Sequence, residues 1–357
     1  MHDKRFAQLE HMRRRAGRVR QQHIDMAHGG GGKAMRDLID DVIMSAFGPA
    51  GLDSSEDQAR LALSQLTAAG DRLAFTTDSY VVTPLFFPGA DIGKLAVNGT
   101  VNDLAVSGAR PLYLSCGLVI EEGLAVATLR DVLSSMAQAA REAGVAIVTG
   151  DTKVVPRGKC DQLFINTAGI GVIAQGRNPR AGGIKPDDVL LLNGTLGDHA
   201  AAILVARGEL RLDADIPSDC AALAGLIDAV CSEVDVHAMR DVTRGGLAAV
   251  LNELALASEV GLVVDEAALP VRREVRGFCE ILGLDPVHMA NEGKVLMAVP
   301  QTQAERALGI LQQHPLGRAA ARIGQARAKL PGIVTLETGL GERILDMLVG
   351  EPLPRIC

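Results

Sequence analysis

The chain has 357 residues, is 48% hydrophobic and 3% aromatic, contains no Trp, and carries a net charge of -7. That length can hold two domains with good cores, and the balance is that of a soluble α/β protein. The acidic excess and the scarcity of aromatic faces argue against a general nucleic-acid binder, and no apolar run reaches the roughly 18 residues of a membrane span.

Residues 1–22 hold seven Lys and Arg against two acids, including Arg13-Arg14-Arg15. The apolar positions are too sparse for an amphipathic helix, so a solvated, loosely helical extension is expected. His28-Gly29-Gly30-Gly31-Gly32-Lys33 follows, then a helix-like run from Ala34 to about Phe47. Glycines ahead of a helix either form a hinge or let backbone amides converge on an anion. The pattern is not a Walker A loop.

Leu73 to Asp78 reads as a strand delivering an acid at its end. Asp91 to Ser107 reads as a helix holding Asn102-Asp103, Leu112 to Ile120 as a strand, and Ala125 to Ala143 as a helix stopped by Gly144. Val145 to Asp151 is a second strand ending in an acid, and Asp161 to Val172 is strand-like. Asn178 to Asp188, rich in Gly and Pro, reads as a linker. Beyond it, Val189 to Gly194 is a buried strand, Gly197-Asp198-His199 precedes a helix, Gly245-Gly246 leads into another over 247–257, and Lys294 to Val299 is a strand. Two alternating α/β halves of similar size are consistent with an internal duplication.

Asp78, Asp103 and Asp151 each sit among small residues, Thr152 among them. Each alone reads as a cap or turn; together, beside a glycine run, they suggest a Mg²⁺–nucleotide site of hard carboxylate oxygens. Lys153 either clamps phosphate, moves a proton or forms an ordinary ion pair. Asp241-Val-Thr-Arg-Gly-Gly246 and Asn291-Glu292-Gly-Lys294 offer acids, an amide and cations in the second half. His28 is the best-placed histidine; His199, His237 and His288 lack metal spacing, so no zinc site is expected. None of the six cysteines forms a CxxC pair and no secretory leader is evident, which implies reduced thiols in the cytoplasm. Cys116, Cys231 and Cys279 read as core. The chain ends Pro352-Leu-Pro354-Arg-Ile-Cys357, an extended arm carrying a terminal thiol.

In combination, AHGGGGK from 27 to 33, the run from Thr76 to Ala109, LSCGLVIEEG from 114, IVTGDTKVV from 147, RDVTRGG from 240, NEGK from 291 and the closing PRIC resemble the HypE family of hydrogenase maturation proteins, within the PurM-like, AIR synthase-related superfamily. The resemblance spans residues 24–357. It implies an α/β (α+β), two-domain PurM-like ATP-binding architecture with a flexible C-terminal tail. Its parts would be a basic extension (1–23), an ATP- and Mg²⁺-binding, dimerising domain (24–180), a second domain (186–342) and a tail (343–357). It also implies an ATP-dependent carbamoyl dehydratase. Cys357 would receive a carbamoyl group from the carbamoyltransferase HypF, and the resulting cyanide would pass to iron on a HypC–HypD scaffold. Mg²⁺ would lie on Asp78, Asp103 and Asp151. The nucleotide would lie against His28, Gly29, Gly30, Gly31, Gly32, Lys33, Thr152, Asp241 and Asn291, with Lys153 and Glu292 deprotonating the carboxamide. A selenophosphate synthetase, which needs an N-terminal reactive Cys, is disfavoured because the first cysteine is Cys116. Nucleic acid and membrane are not expected partners.

Overall fold

The computed structural model describes residues 17–48, 58–208, 216–350, 353 and 356–357. Most of the basic extension, together with Pro352 and Pro354, lies outside the described residues. Among those described, the first half builds β1 (Arg72–Tyr80), a small pair β2 (Phe86–Phe87) and β3 (Ala90–Asp91), β4 (Ala109–Glu121), β5 (Ala146–Val155) and β6 (Leu163–Ile173). The long strands form one sheet in the order β1-β6-β4-β5. Only the β4–β5 pair is parallel, and its crossover is the Val126–Ala143 helix.

Two helices cover one face of this sheet. Val126–Ala143 buries Leu129, Val132, Leu133, Met136 and Ala140, a three- and four-residue spacing that makes one apolar stripe. Gly144 ends it with φ 70°, a left-handed stop that glycine adopts without strain. Ile92–Val106 starts at Asp91, whose carboxylate accepts the N–H groups of Gly93 (2.7 Å) and Lys94 (3.2 Å). That helix is buried almost all round because it lies between the first sheet and elements of the second half. A side chain on Gly99 would collide with the Tyr80 ring, so glycine lets helix and strand approach closely.

The second half contributes β7 (Val189–Leu192), β8 (Ala238–Asp241), β9 (Gly261–Asp265), β10 (Val295–Val299), β11 (Ala321–Arg327), β12 (Val334–Thr338) and β13 (Gly341–Ile344). Their order is β13-β12-β9-β11-β7-β10-β8. β7 and β10 are buried at every residue. Separate apolar clusters lie on the sheet's two faces, one under the Gly246–Ser258 helix and one under Ala224–Cys231 and Ala304–Gln313. The four-strand and seven-strand sheets are therefore unlike in size.

A third cluster joins the halves. It contains Leu95 and Val101 of the first, Ala200, Ile203, Val275 and Phe278 of the second, and Ile356 from the chain's end. Each fully buried aliphatic side chain in it contributes about 1.5–3 kcal/mol. Asn102 adds a polar lock: its amide donates to Ala221 O (3.0 Å) and accepts from Leu223 N–H (2.7 Å). No described helix is long and apolar enough to cross a membrane.

Candidate functional site

Strand alternation sorts the candidate residues onto two faces of the first sheet. Thr76, Asp78 and Tyr80 point to the helix-covered face of β1, where Thr76 donates to Asp103 Oδ2 on the Ile92–Val106 helix (3.0 Å). Below them Tyr80 OH meets Thr100 (3.3 Å), Thr100 meets Thr167 (2.5 Å), and Thr167 donates to Ala96 O (3.0 Å). This buried hydroxyl chain fixes the floor beneath the two acids. Burial, followed by the neighbouring Asp78, pushes Asp103 above the ordinary carboxylate range.

The second half supplies two more acids to the same place. Asp241 ends β8, and burial followed by Asp103 pushes it up to about 7. Glu292, in the loop before β10, is held well above its usual value by burial and then by Asp219, Asp241 and Asp78, with Arg244 opposing. Asp78, Asp103, Asp241 and Glu292 thus form one crowded carboxylate cluster at the junction of the halves. Like charges in a desolvated place retain protons, and a divalent cation or a proton donor relieves them. Asp78, Asp103 and Asp241 have the hard oxygens that Mg²⁺ takes. Among the described residues no group of three His, Cys, Asp or Glu is spaced to hold a metal by itself, so waters and phosphate oxygens would complete such a shell.

Asp151 does not join that cluster within one chain. β1 and β5 are the two edges of the sheet, three strand spacings or about 14 Å apart. Asp151 and Lys153 also project from the opposite face, the one bearing exposed Leu73 and Phe75. Lys153 Nζ lies 2.6 Å from both Asp151 oxygens, and this ammonium holds Asp151 below its ordinary value. Both side chains are more than half exposed, so the pair contributes little to stability. Thr152 alternates inward and is buried.

The glycine run packs against the same edge strand. Asp25 caps a short turn over Met26–Gly29, and its carboxylate also meets His28 Nδ1 (2.8 Å). A Cβ on Gly29 would lie 2.9 Å from Val154 Cβ, whereas Gly31, at φ 74°, and Gly32 face open space. Gly30 caps the turn. His28 and Lys33 line a cleft of about 370 Å³ with Arg18, Arg20 and Asp37. Asn291 has a different setting from the nucleotide contact expected of it. Its amide oxygen accepts Gly197 N–H (2.8 Å) and its nitrogen donates to Met289 O (3.0 Å), which fixes the loop carrying Glu292.

The chain's end is docked. Ile356 is buried, Cys357 packs beside it, and Ile356 O accepts from His199 Nε2 (2.6 Å). His199 is flanked by Asp219, which accepts the N–H groups of Glu292 and Gly293 (both 3.1 Å) and pairs with Lys294 (2.7 Å). Burial alone would raise Asp219, but Lys294, His199 and these donors hold it low. Sequence reasoning missed Asp219 and left His199 an ordinary polar residue, because neither stands in a motif. Cys116 is core as expected, its thiol pushed up to about 12 by burial.

Residues 55–173 match the AIR synthase related protein N-terminal domain, and residues 185–336 match its C-terminal domain. The chain is 56% identical to carbamoyl dehydratase HypE of Rhodobacter capsulatus, over 95% of this chain and 99% of that protein. A solved structure of hydrogenase maturation protein HypE in complex with ATP is 48% identical, with a TM-score of 0.88, covering 93% of this chain and 99% of that one. A HypE–HypF complex is 46% identical, with a TM-score of 0.75, covering 87% and 99%.

Proposed function

The chain belongs to the carbamoyl dehydratase HypE family of AIR synthase related proteins, and on that premise we propose that it dehydrates a carbamoyl group carried as a thiocarboxamide on its own Cys357. ATP is consumed and a protein thiocyanate results. The observation that carries this reading is the seating of Ile356 and Cys357 at the junction that also holds Glu292.

A carboxamide oxygen leaves poorly as water and well as phosphate. The amide oxygen attacks the γ-phosphorus, ADP leaves, and an N–H proton is lost. Loss of the second N–H proton and departure of inorganic phosphate then leave S–C≡N. Once ionised, Glu292 suits the proton-accepting role, because burial and then flanking carboxylates raise its proton affinity. Asp78, Asp103 and Asp241 would hold Mg²⁺, which supplies charge neutralisation to the polyphosphate. The glycine run from Gly29 to Gly32 offers backbone N–H groups to phosphate, with Lys33 and His28 at its rim.

A second copy of the chain completes the arrangement. One sheet face is apolar and uncovered at Leu73 and Phe75, and both edges, β1 and β5, lack partners among the described residues. An isologous pairing covers that face and brings the β5 edge of one protomer, with Asp151, Lys153 and the glycine run, towards the acids of the other. HypF is the carbamoyl donor, in keeping with the HypE–HypF complex of a relative. A HypC–HypD scaffold takes the cyanide, and the reaction runs in the cytoplasm, where the thiol stays reduced.

The test is mass spectrometry of the C-terminal peptide after carbamoylated protein meets MgATP. Loss of one water is expected. An unchanged carboxamide on folded, nucleotide-bound protein would sink the assignment.

A further inference from the structure

We propose that His199 is the positioning residue that holds the C-terminal tip in its docked place, by donating from Nε2 to the carbonyl of Ile356. This rests on the dehydratase reading for its purpose and on geometry for its existence. A backbone carbonyl only accepts, so the 2.6 Å contact requires the proton on Nε2. Nδ1 is then bare, and the Ser218 hydroxyl, 2.8 Å away, donates to it. Ser218 Oγ in turn accepts Cys220 N–H (3.1 Å). The ring is fully buried, and Phe87 meets it edge to face at 5.5 Å. Every direction around the imidazole is therefore occupied, and burial, pushing its pKa down, favours the neutral ring.

The ring's backbone is also tied to the loop carrying the proposed base. His199 lies two residues after Gly197, whose N–H is held by Asn291. Asp219, next to Ser218, grips the N–H groups of Glu292 and Gly293. The anchors of Glu292 thus flank the residue that anchors the tail. Cys357 is one residue, about 3.8 Å between Cα atoms, beyond Ile356, so fixing that carbonyl confines the sulfur. Such confinement turns an encounter of a loose tail into an intramolecular step. A single neutral hydrogen bond contributes little enough that the tail can leave again to be loaded.

The experiment uses the full-length protein with His199→Phe, which keeps an aromatic ring and loses the donor, and His199→Gln, which keeps one. Alkylation of Cys357 by N-ethylmaleimide is followed by mass spectrometry, with Cys220 and Cys279 as internal controls. Loss of the bond should speed alkylation of Cys357 about five- to tenfold in the Phe variant, with the controls unchanged. The Gln variant should stay within about twofold of the parent, since its donor replaces the lost one. For carbamoylated protein, the Phe variant should lose kcat about tenfold with the KM for ATP unchanged. Equal Cys357 rates in all three proteins overturn the proposal. So does a rise shared by Cys220 and Cys279, which would mark general loosening. If the parent fails to lose water while the Cys357 contrast persists, the dehydratase reading falls and the latch stands.

Discussion

Asp103 and Asp241 come from different halves of the chain and face each other across their junction: burial and then Asp103 push Asp241 up to about 7. An unfolded aspartate ionises near about 4. Between that value and about 7 the native chain holds a proton that the unfolded chain has lost. Stability therefore falls as pH rises through this window and stays at the lower level above it. Asp241→Asn should reduce the fall, to which the raised Asp103 and Glu292 also contribute, raising unfolding stability of the nucleotide-free protein at pH 8 by on the order of 1–3 kcal/mol in urea titration. Mg²⁺ with ATP should raise the melting temperature of the parent at pH 8 far more than that of the variant. A parent curve flat from pH 4 to 8, or a variant less stable than the parent, would show that the cluster is not under charge strain.

Gly29 and Gly32 belong to the same run and have opposite surroundings. A methyl on Gly29 would meet Val154 of β5 at 2.9 Å, while one on Gly32 meets nothing within 4 Å. Gly29→Ala should cost about 1–3 kcal/mol of stability by overpacking, and should weaken ATP binding by displacing the turn. Gly32→Ala should fold within about 0.5 kcal/mol of the parent. Urea unfolding and nucleotide titration of the two proteins decide this; equal losses would mean that the run is a mere hinge.

Local signals made much of the first half legible. The helix read from Asp91 to Ser107, Gly144 as a helix stop and the strand read from Leu112 to Ile120 match the observed Ile92–Val106 helix, the stop at Gly144 and β4 over Ala109–Glu121. The strand alternation also puts Asp151 and Lys153 on one face and Thr152 on the other. What it does not carry is which face is covered, or that β1 and β5 lie at opposite edges, because strand order is set by long-range pairing. β11, β12 and β13 escaped reading for a related reason. Their polar edge residues, such as Glu342 and Arg343, weaken the hydrophobic pattern, and the sheet runs two residues past 342 into the segment expected to be tail. The docking of Ile356 on His199 joins positions 157 apart, with no local trace at either end.

Cys357→Ser separates carriage from nucleotide binding. Cys357 packs against the core beside Ile356, and the acids proposed to hold Mg²⁺, Asp78, Asp103 and Asp241, come from other elements. The variant should bind MgATP within about twofold of the parent, since a surface-level change of one atom leaves stability nearly untouched. It should carry no carbamoyl group and yield no thiocyanate by mass spectrometry. Loss of nucleotide binding in this variant would show that the thiol helps to build the site as well as to carry the substrate.

Lys153 lies on the uncovered face at the β5 edge, whereas Asp103 lies on the helix over the other face and accepts from Thr76 of the β1 edge, and this yields a sharper test of sharing between copies. Lys153→Ala and Asp103→Asn should each abolish turnover, while leaving the fold intact: Lys153 is exposed, and Asn at 103 can still accept from Thr76. Suppose each site takes Lys153 from one protomer and Asp103 from the other. A mixed dimer of the two variants then has one site with both defects and one with neither. Random mixing makes half the dimers mixed, so co-refolded or co-expressed protein should recover about a quarter of parental turnover. If one chain held a whole site, every site in the mixture would carry a defect and turnover would stay at the level of the separate variants. Recovery without dimer in sedimentation analysis is also incompatible with the shared site, because a lone protomer cannot bring its own β5 edge round to β1.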